Sequence, residues 1–209
     1  MFVCLIQARS TSTRFPGKCF TPIYEGQNSL DMIYKTAVSV CPLTYFIVPE
    51  DDRDIIDHLH YVKNYPYMTG PFEPLKRYVK CAHALRAQRI VRLTADCPFL
   101  DVTELFYLVS IAQNTNADFV TNASPTQRHT VDGCDVEIFS IRFLDWLDTY
   151  AQPADREHVT QHAYKCDPKY IEKEKFSTVF YRPVINYYKL IKTSIDTPDD
   201  LDRLTKACV

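Results

Sequence analysis

The chain has 209 residues, 46% of them hydrophobic, and a formal net charge of −2, so it is long enough to bury a full core and fits one domain, 1–209, better than two. Slight acidity argues against a nucleic-acid partner, which demands a basic face, and the lack of an apolar run of about 20 residues argues against a membrane partner. Eight cysteines with no C-x-x-C pair point to buried, reduced thiols rather than disulfides or structural zinc, with the cytoplasm as the expected compartment.

The apolar start 1–7 reads as a buried strand, being too short for a span and lacking the basic leader of a signal peptide. Residues 44–48, 89–94 and 118–121 are further short apolar runs bounded by polar or turn residues, and they predict strands. Between them, Leu30, Ile33, Tyr34, Ala37 and Val38 share one helical face, as do Leu75, Tyr78, Val79, Ala82 and Leu85. Asp101 with Glu104 predicts a capped helix over 105–111, and Thr197, Pro198 and Asp200 mark another helix start. This alternation predicts an α/β fold with a mainly parallel sheet covered on both faces. Beyond Thr121 the rhythm loosens. Residues 134–139 alternate like a strand, 143–150 and 157–164 look helical, and the part over 122–165 reads as a lid or insertion on the acceptor side.

In open parallel sheets, ligands bind beyond the carboxyl ends of the strands, which directs attention to the loops after Gln7, Thr94 and Thr121. The first of these, QARSTSTRFPGK (7–18), is neither G-x-G-x-x-G nor a Walker A sequence. A nucleoside triphosphate brings roughly four negative charges, and a chain with few glycines must hold them with side chains or a metal. Arg9 and Arg14 offer forked hydrogen bonds to phosphate, and Lys18 adds a mobile point charge. A solvated basic loop is the competing reading. Asp135 and Glu137 fall on one side if their segment is a strand. Arg156, Glu157 and His158 open the next polar block, which a helix start held by local ion pairs would explain without a ligand. Cys97, beside Asp96, reads as a packed thiol before a nucleophile.

The pattern Q-A-R-x-x-S-T-R-x-P-G-K resembles the opening motif of sugar nucleotidyltransferases, and is most similar to the spore-coat polysaccharide biosynthesis cytidylyltransferase-like proteins, relatives of the acylneuraminate and 3-deoxy-manno-octulosonate cytidylyltransferases. The likeness continues through RLTADCP (92–98), DGCDVEIFS (132–140), REHVT (156–160) and IDTPDDL (195–201), in the same order across nearly the whole chain. The resemblance implies a three-layer α/β/α sandwich of the nucleotide-diphospho-sugar transferase type (GT-A, Rossmann-like). It also implies an enzyme that uses CTP and an acidic sugar, with Mg2+ as cofactor, and a homodimer to which Trp146 or the tyrosine-rich 181–188 contributes unless those rings pack in the core.

Carried onto this chain, Gln7, Ala8, Arg9, Ser12, Thr13, Arg14, Lys18 and Asp96 would bind the nucleotide. Arg14, Lys18 and Asp96 would carry catalysis, and Asp96 with Asp196 would ligate the metal. Asp135, Glu137, Arg156, Glu157 and His158 would face the acceptor. Caps or turns are the plainer roles for Asp96 and Asp196. The chain departs from the family pattern at Thr11, where a glycine is usual, in the short segment after Val48, and over 71–76. A catalytically inactive nucleotide- or sugar-binding homologue, or a structural subunit of a glycan pathway, is the alternative from another class.

Overall fold

A computed structural model describes residues 1–123, 130–165, 175–181 and 192–207; Cys166, Cys208 and most of the tyrosine-rich stretch lie outside them. Among the described residues seven strands form one sheet: β1 (Phe2–Gln7), β2 (Thr44–Pro49), β3 (Tyr67–Gly70), β4 (Arg89–Thr94), β5 (Phe119–Thr121), β6 (Glu137–Ser140) and β7 (Thr178–Phe180). Their spatial order is β3-β2-β1-β4-β6-β5-β7. All neighbours pair in parallel except β6, which is antiparallel to both β4 and β5.

Because side chains alternate across a strand, the apolar runs supply two cores. Cys4, Ile6, Phe46, Val48, Val91 and Leu93 face α1 (Ser29–Val40), α2 (Arg53–Asp57) and α4 (Val102–Thr115). Val3, Leu5, Ile47, Ile90 and Phe139 face α3 (Pro74–Ala84), α5 (Ile141–Tyr150) and α6 (Gln161–Lys165). The result is the expected three-layer sandwich. A third small core of Ile23, Ile195 and Leu204 seats α7 (Pro198–Ala207).

The helix starts follow the capping chemistry. Asn28 and Asp31 form a reciprocal capping box at α1, and Asp101 accepts from the amides of Thr103 and Glu104 at α4. Asp200 gathers the amides of Asp196 and Thr197 ahead of α7. Such side-chain acceptors satisfy amides that have no partner within the helix. The six described cysteines are free and buried, and Trp146 packs in the α5 core against Phe143 and Phe176. No helix among the described residues is long and apolar enough to cross a membrane.

Two expectations for the second half need correction. The strand expected over 134–139 begins only at Glu137, because Asn122 uses its side-chain amide to bond Cys134 O at 2.9 Å and Val136 N at 2.8 Å in place of a neighbouring strand. The helix expected over 157–164 is instead a 3-10 helix, Pro153–His158, followed by α6. The break falls at Val159, whose φ of 42° is outside helical geometry while its side chain is wholly buried. Within 122–165, β6 lies inside the sheet between β4 and β5, and α5 packs on one face.

Candidate active site

The carboxyl ends of β1, β2, β4 and β5 lie at one edge of the sheet, and the reversed direction of β6 brings its first residue, Glu137, to the same edge. A cleft of about 640 Å3 opens there, lined by Gln7, Ala8, Arg9, Ser12, Thr13, Arg14 and Lys18 from the first loop and by Asp96 from the loop after β4. Asp135, Glu137, Glu157, His158 and Asp196 complete the expected set. The structure thus gathers every expected site residue except Arg156.

The first loop is held from beneath. Ser10 donates its amide and its hydroxyl to the buried Asp52 carboxylate at 2.7 and 2.5 Å. The Ser10 carbonyl then accepts from Ser12 N and Gly17 N, both at 3.1 Å, which closes the loop on itself. Gly17 has φ 71° and precedes the 3-10 turn Lys18–Phe20, a left-handed conformation that glycine adopts without steric cost. Thr11, the departure from the usual glycine, is exposed. The short segment after Val48 carries Asp52 and is therefore the loop's support.

Lys18 reaches across the cleft. Its Nζ lies 2.9 Å from Asp96 Oδ2, 2.5 Å from Ile195 O and 3.7 Å from Asp196 Oδ1. Arg14 Nη2 and Lys192 Nζ each lie 2.8 Å from an Asp196 oxygen. The Ile195 amide donates to Asp96 O at 2.9 Å, tying the two acidic segments together. Gly133 permits this approach, because a Cβ there would meet Ser194 N at 2.3 Å. Burial pushes the Asp96 carboxyl up, but the Lys18 charge and hydrogen bonds from Lys18 and Thr94 hold it below its ordinary range. Cys97 is driven the other way by burial and by Asp96, so its thiol stays protonated, and burial pushes Cys19, which also lines the cleft, up to about 12.

Two carboxylates and a backbone carbonyl converging on one ammonium are a donor set of the kind a hard cation takes. Among the described residues no group of three or more His, Cys, Asp or Glu side chains is arranged for a metal. A metal at this point would have Asp96 and Asp196 as its protein carboxylates and take its remaining oxygens from phosphate and water.

On the opposite side of the cleft, Glu137 is 3% exposed. It accepts from Arg92 Nη1 at 2.5 Å, Thr160 Oγ1 at 2.5 Å and Tyr164 O–H at 2.7 Å. It forms a rigid, charge-paired floor in which both acceptor oxygens are engaged. Arg9 pairs with Glu157 at 3.2 Å across the cleft mouth.

Arg156 is placed elsewhere. Its Nε bonds Glu73 Oε1 at 2.7 Å, its Nη1 bonds Asp148 O at 2.8 Å, and its Nη2 pairs with the Asp148 carboxylate. It clamps the 3-10 turn to α3 and α5, which is the ion-pair alternative weighed for that block. The cation that lines this side in its stead is Lys165, bonded to the buried Asp155. Sequence reasoning missed Lys165 because one lysine near the end of a short helix carries no motif. It passed over Arg92 and Thr160 although both stand inside motif blocks.

Side-chain cations and paired carboxylates at the carboxyl edge of a mainly parallel sheet define a nucleotide-phosphate-binding α/β protein. The cytidylyltransferase family model matches residues 3–207, and the chain belongs to that family. It is 32% identical over 101 residues to a 3-deoxy-manno-octulosonate cytidylyltransferase from Trichlorobacter lovleyi, the match covering 47% of this chain and 40% of the relative. It is 30% identical over 124 residues to the spore coat polysaccharide biosynthesis protein SpsF of Bacillus subtilis, covering 55% of this chain and 51% of that protein. The matched segments thus span about half or less of each curated relative. A solved cytidylyltransferase from Leptospira borgpetersenii superposes with a TM-score of 0.81 at 28% identity, over 98% of this chain and 84% of that one.

Proposed function

We propose that the chain transfers CMP from CTP to an acidic sugar of the 2-keto-3-deoxy type and releases pyrophosphate. The observation that carries this reading is the convergence of Arg14, Lys18, Asp96 and Asp196 at one point of the cleft. The acceptor hydroxyl oxygen attacks the α-phosphorus and gives up its proton to solvent, the bond from that phosphorus to the bridging oxygen of the β-phosphate breaks, and pyrophosphate leaves. Arg9, Arg14 and Lys18 hold the triphosphate, and Arg14 and Lys18 meet the charge that builds on the departing pyrophosphate. Asp96 and Asp196 would hold Mg2+, which when bound supplies electrostatic stabilisation of phosphoryl oxygens.

The acceptor half fits an acidic sugar in two respects. Asp135 and Glu157 line it with groups that accept from sugar hydroxyls, and Lys165 and His158 stand on the same side to meet a carboxylate. The names of the two curated relatives, one a 3-deoxy-manno-octulosonate cytidylyltransferase and the other a polysaccharide biosynthesis protein, support the same substrate class.

Pyrophosphate release with CTP, UTP, ATP and GTP, each with Mg2+ and a panel of acidic and neutral sugars, tests the proposal. Release with CTP and an acidic sugar is expected. Equal release with all four nucleotides would remove the cytidylyl assignment, and nucleotide binding without release under any pairing would favour a non-catalytic binding protein.

A further inference from the structure

The point where Asp96 and Asp196 meet is occupied by this chain's own ammonium. Lys18 Nζ has three oxygens around it, from Asp96, Ile195 and Asp196, and its side chain is only 14% exposed. Arg14 and Lys192 also pair with Asp196, Lys192 being shared with Asp200. Two carboxylates therefore face three cations, Arg14, Lys18 and Lys192.

We propose that Lys18 is a resident cation that yields its place between Asp96 and Asp196 to the divalent metal, and that this exchange makes the metal and the triphosphate bind cooperatively. The inference rests on the reading of the cleft as a metal–nucleotide site. A metal arriving alone meets a locus whose carboxylates are already neutralised, and must displace an ammonium that Asp96, Asp196 and the Ile195 carbonyl hold in place. A triphosphate arriving alone finds Lys18 and Arg14 engaged by carboxylates. When both arrive, the metal takes the carboxylates and the freed ammonium turns to phosphate, so no charge is left without a partner. Lysine suits this role because its charge is compact and sits on a flexible four-carbon stem. By linkage, whatever factor the metal contributes to nucleotide affinity the nucleotide returns to the metal.

The test uses Mn2+ as the probe, without nucleotide, so that its outcome does not depend on which reaction the protein catalyses. Lys18→Met keeps most of the stem and removes the charge. It should bind Mn2+ alone about tenfold tighter than the unmodified chain, within the span of ordinary coupling factors. Lys18→Arg should not show this gain. Mn2+ affinity in Lys18→Met equal to or weaker than that of the unmodified chain would overturn the proposal.

A second measurement needs no variant. Labelling of Lys18 by an amine-reactive reagent, read by mass spectrometry, should rise when Mn2+ is added alone and fall when CTP is then added. Unchanged labelling on Mn2+ saturation would equally overturn it. Failure of pyrophosphate release with every nucleotide, beside a positive Mn2+ result, would separate the loss of the proposed reaction from the loss of this exchange.

Discussion

The Ser10 amide and hydroxyl both end on the carboxylate of Asp52, at 2.7 and 2.5 Å, and both residues are buried. Asp52 also accepts from the Ile55 amide at the start of α2, so one side chain fixes the first loop to the segment that follows β2. Asp52→Asn keeps the shape but replaces one acceptor oxygen by a donor that faces a donor. Hydrogen bonds to charged groups contribute about 1.5–3 kcal/mol each, and a loss of stability of that order is expected in urea unfolding. On the proposed reading, in which the loop positions phosphate rather than reacting with it, KM for CTP should rise more than kcat falls. A variant with unchanged midpoint and unchanged KM would show that the contact is incidental.

Arg14→Ala is expected to damage turnover and spare the fold. The Arg14 side chain is 67% exposed and its partner is Asp196, so its removal should change stability by about 0.5 kcal/mol or less. Losing a preplaced donor for developing charge costs about 2.7–4 kcal/mol, roughly a hundredfold or more in rate. Turnover at saturating CTP and Mg2+, beside a melting curve, reads both effects. Near-normal turnover would shift the phosphate-holding role to Arg9 and Lys18.

Asp31 gives the chain an acid-sensitive contact away from the cleft. Burial alone would raise its pKa, but hydrogen bonds from Lys63, the Asn28 amide and Tyr65, with the Lys63 charge, outweigh it and hold the carboxyl below its ordinary 3.8; burial first, and then the contact with Asp31, push the Tyr65 hydroxyl up to about 12. A folded pKa below the unfolded one means that the unfolded chain binds the proton first as pH falls. The contribution is therefore full above pH 3.8 and lost as pH falls through the folded value. Lys63→Met should lower Tm at neutral pH, by about 1 kcal/mol in free energy, and the gap to the unmodified chain should close as the pH falls below 3.8 and through the folded value. A gap independent of pH would assign the effect to packing of the lysine stem.

The sheet, its buried helices and the first loop's place in the cleft were legible in the sequence because each depends on local periodicity or on a contiguous motif. Cys4 and Ile6 against Val3 and Leu5, for example, announce a strand buried on both faces. What escaped depends on contacts between distant segments. Nothing near Asp52 marks it as the anchor of Ser10, and the side-chain amide of Asn122 shortens β6 from outside that strand. Arg156 shows the converse: it belongs to a functional motif block, but Glu73 and Asp148, reached only through the fold, claim its guanidinium.

Gly133→Ala should uncouple Asp196 from the rest of the site. Gly133 has φ 105°, outside the regions open to residues with a side chain, and such strain costs about 1–3 kcal/mol. Space is the larger obstacle. The added Cβ would stand 2.3 Å from Ser194 N and 2.6 Å from Thr193 C, and backbone cannot rotate aside as a side-chain tip does. The segment before Asp196 must therefore retreat, stretching the bonds that Thr193 N and Ser194 N donate to Asp132 O at 2.6 and 3.2 Å. Asp196 would then leave the oxygens of Asp96, while Lys18 and Asp96 keep their own contact. Turnover should fall by at least about tenfold, since misplacement by about 1 Å can cost a hundredfold, and excess Mg2+ should recover part of it. A Gly133→Ala protein that melts normally and needs no more Mg2+ than the unmodified chain would show that the close approach of these two loops does not position Asp196.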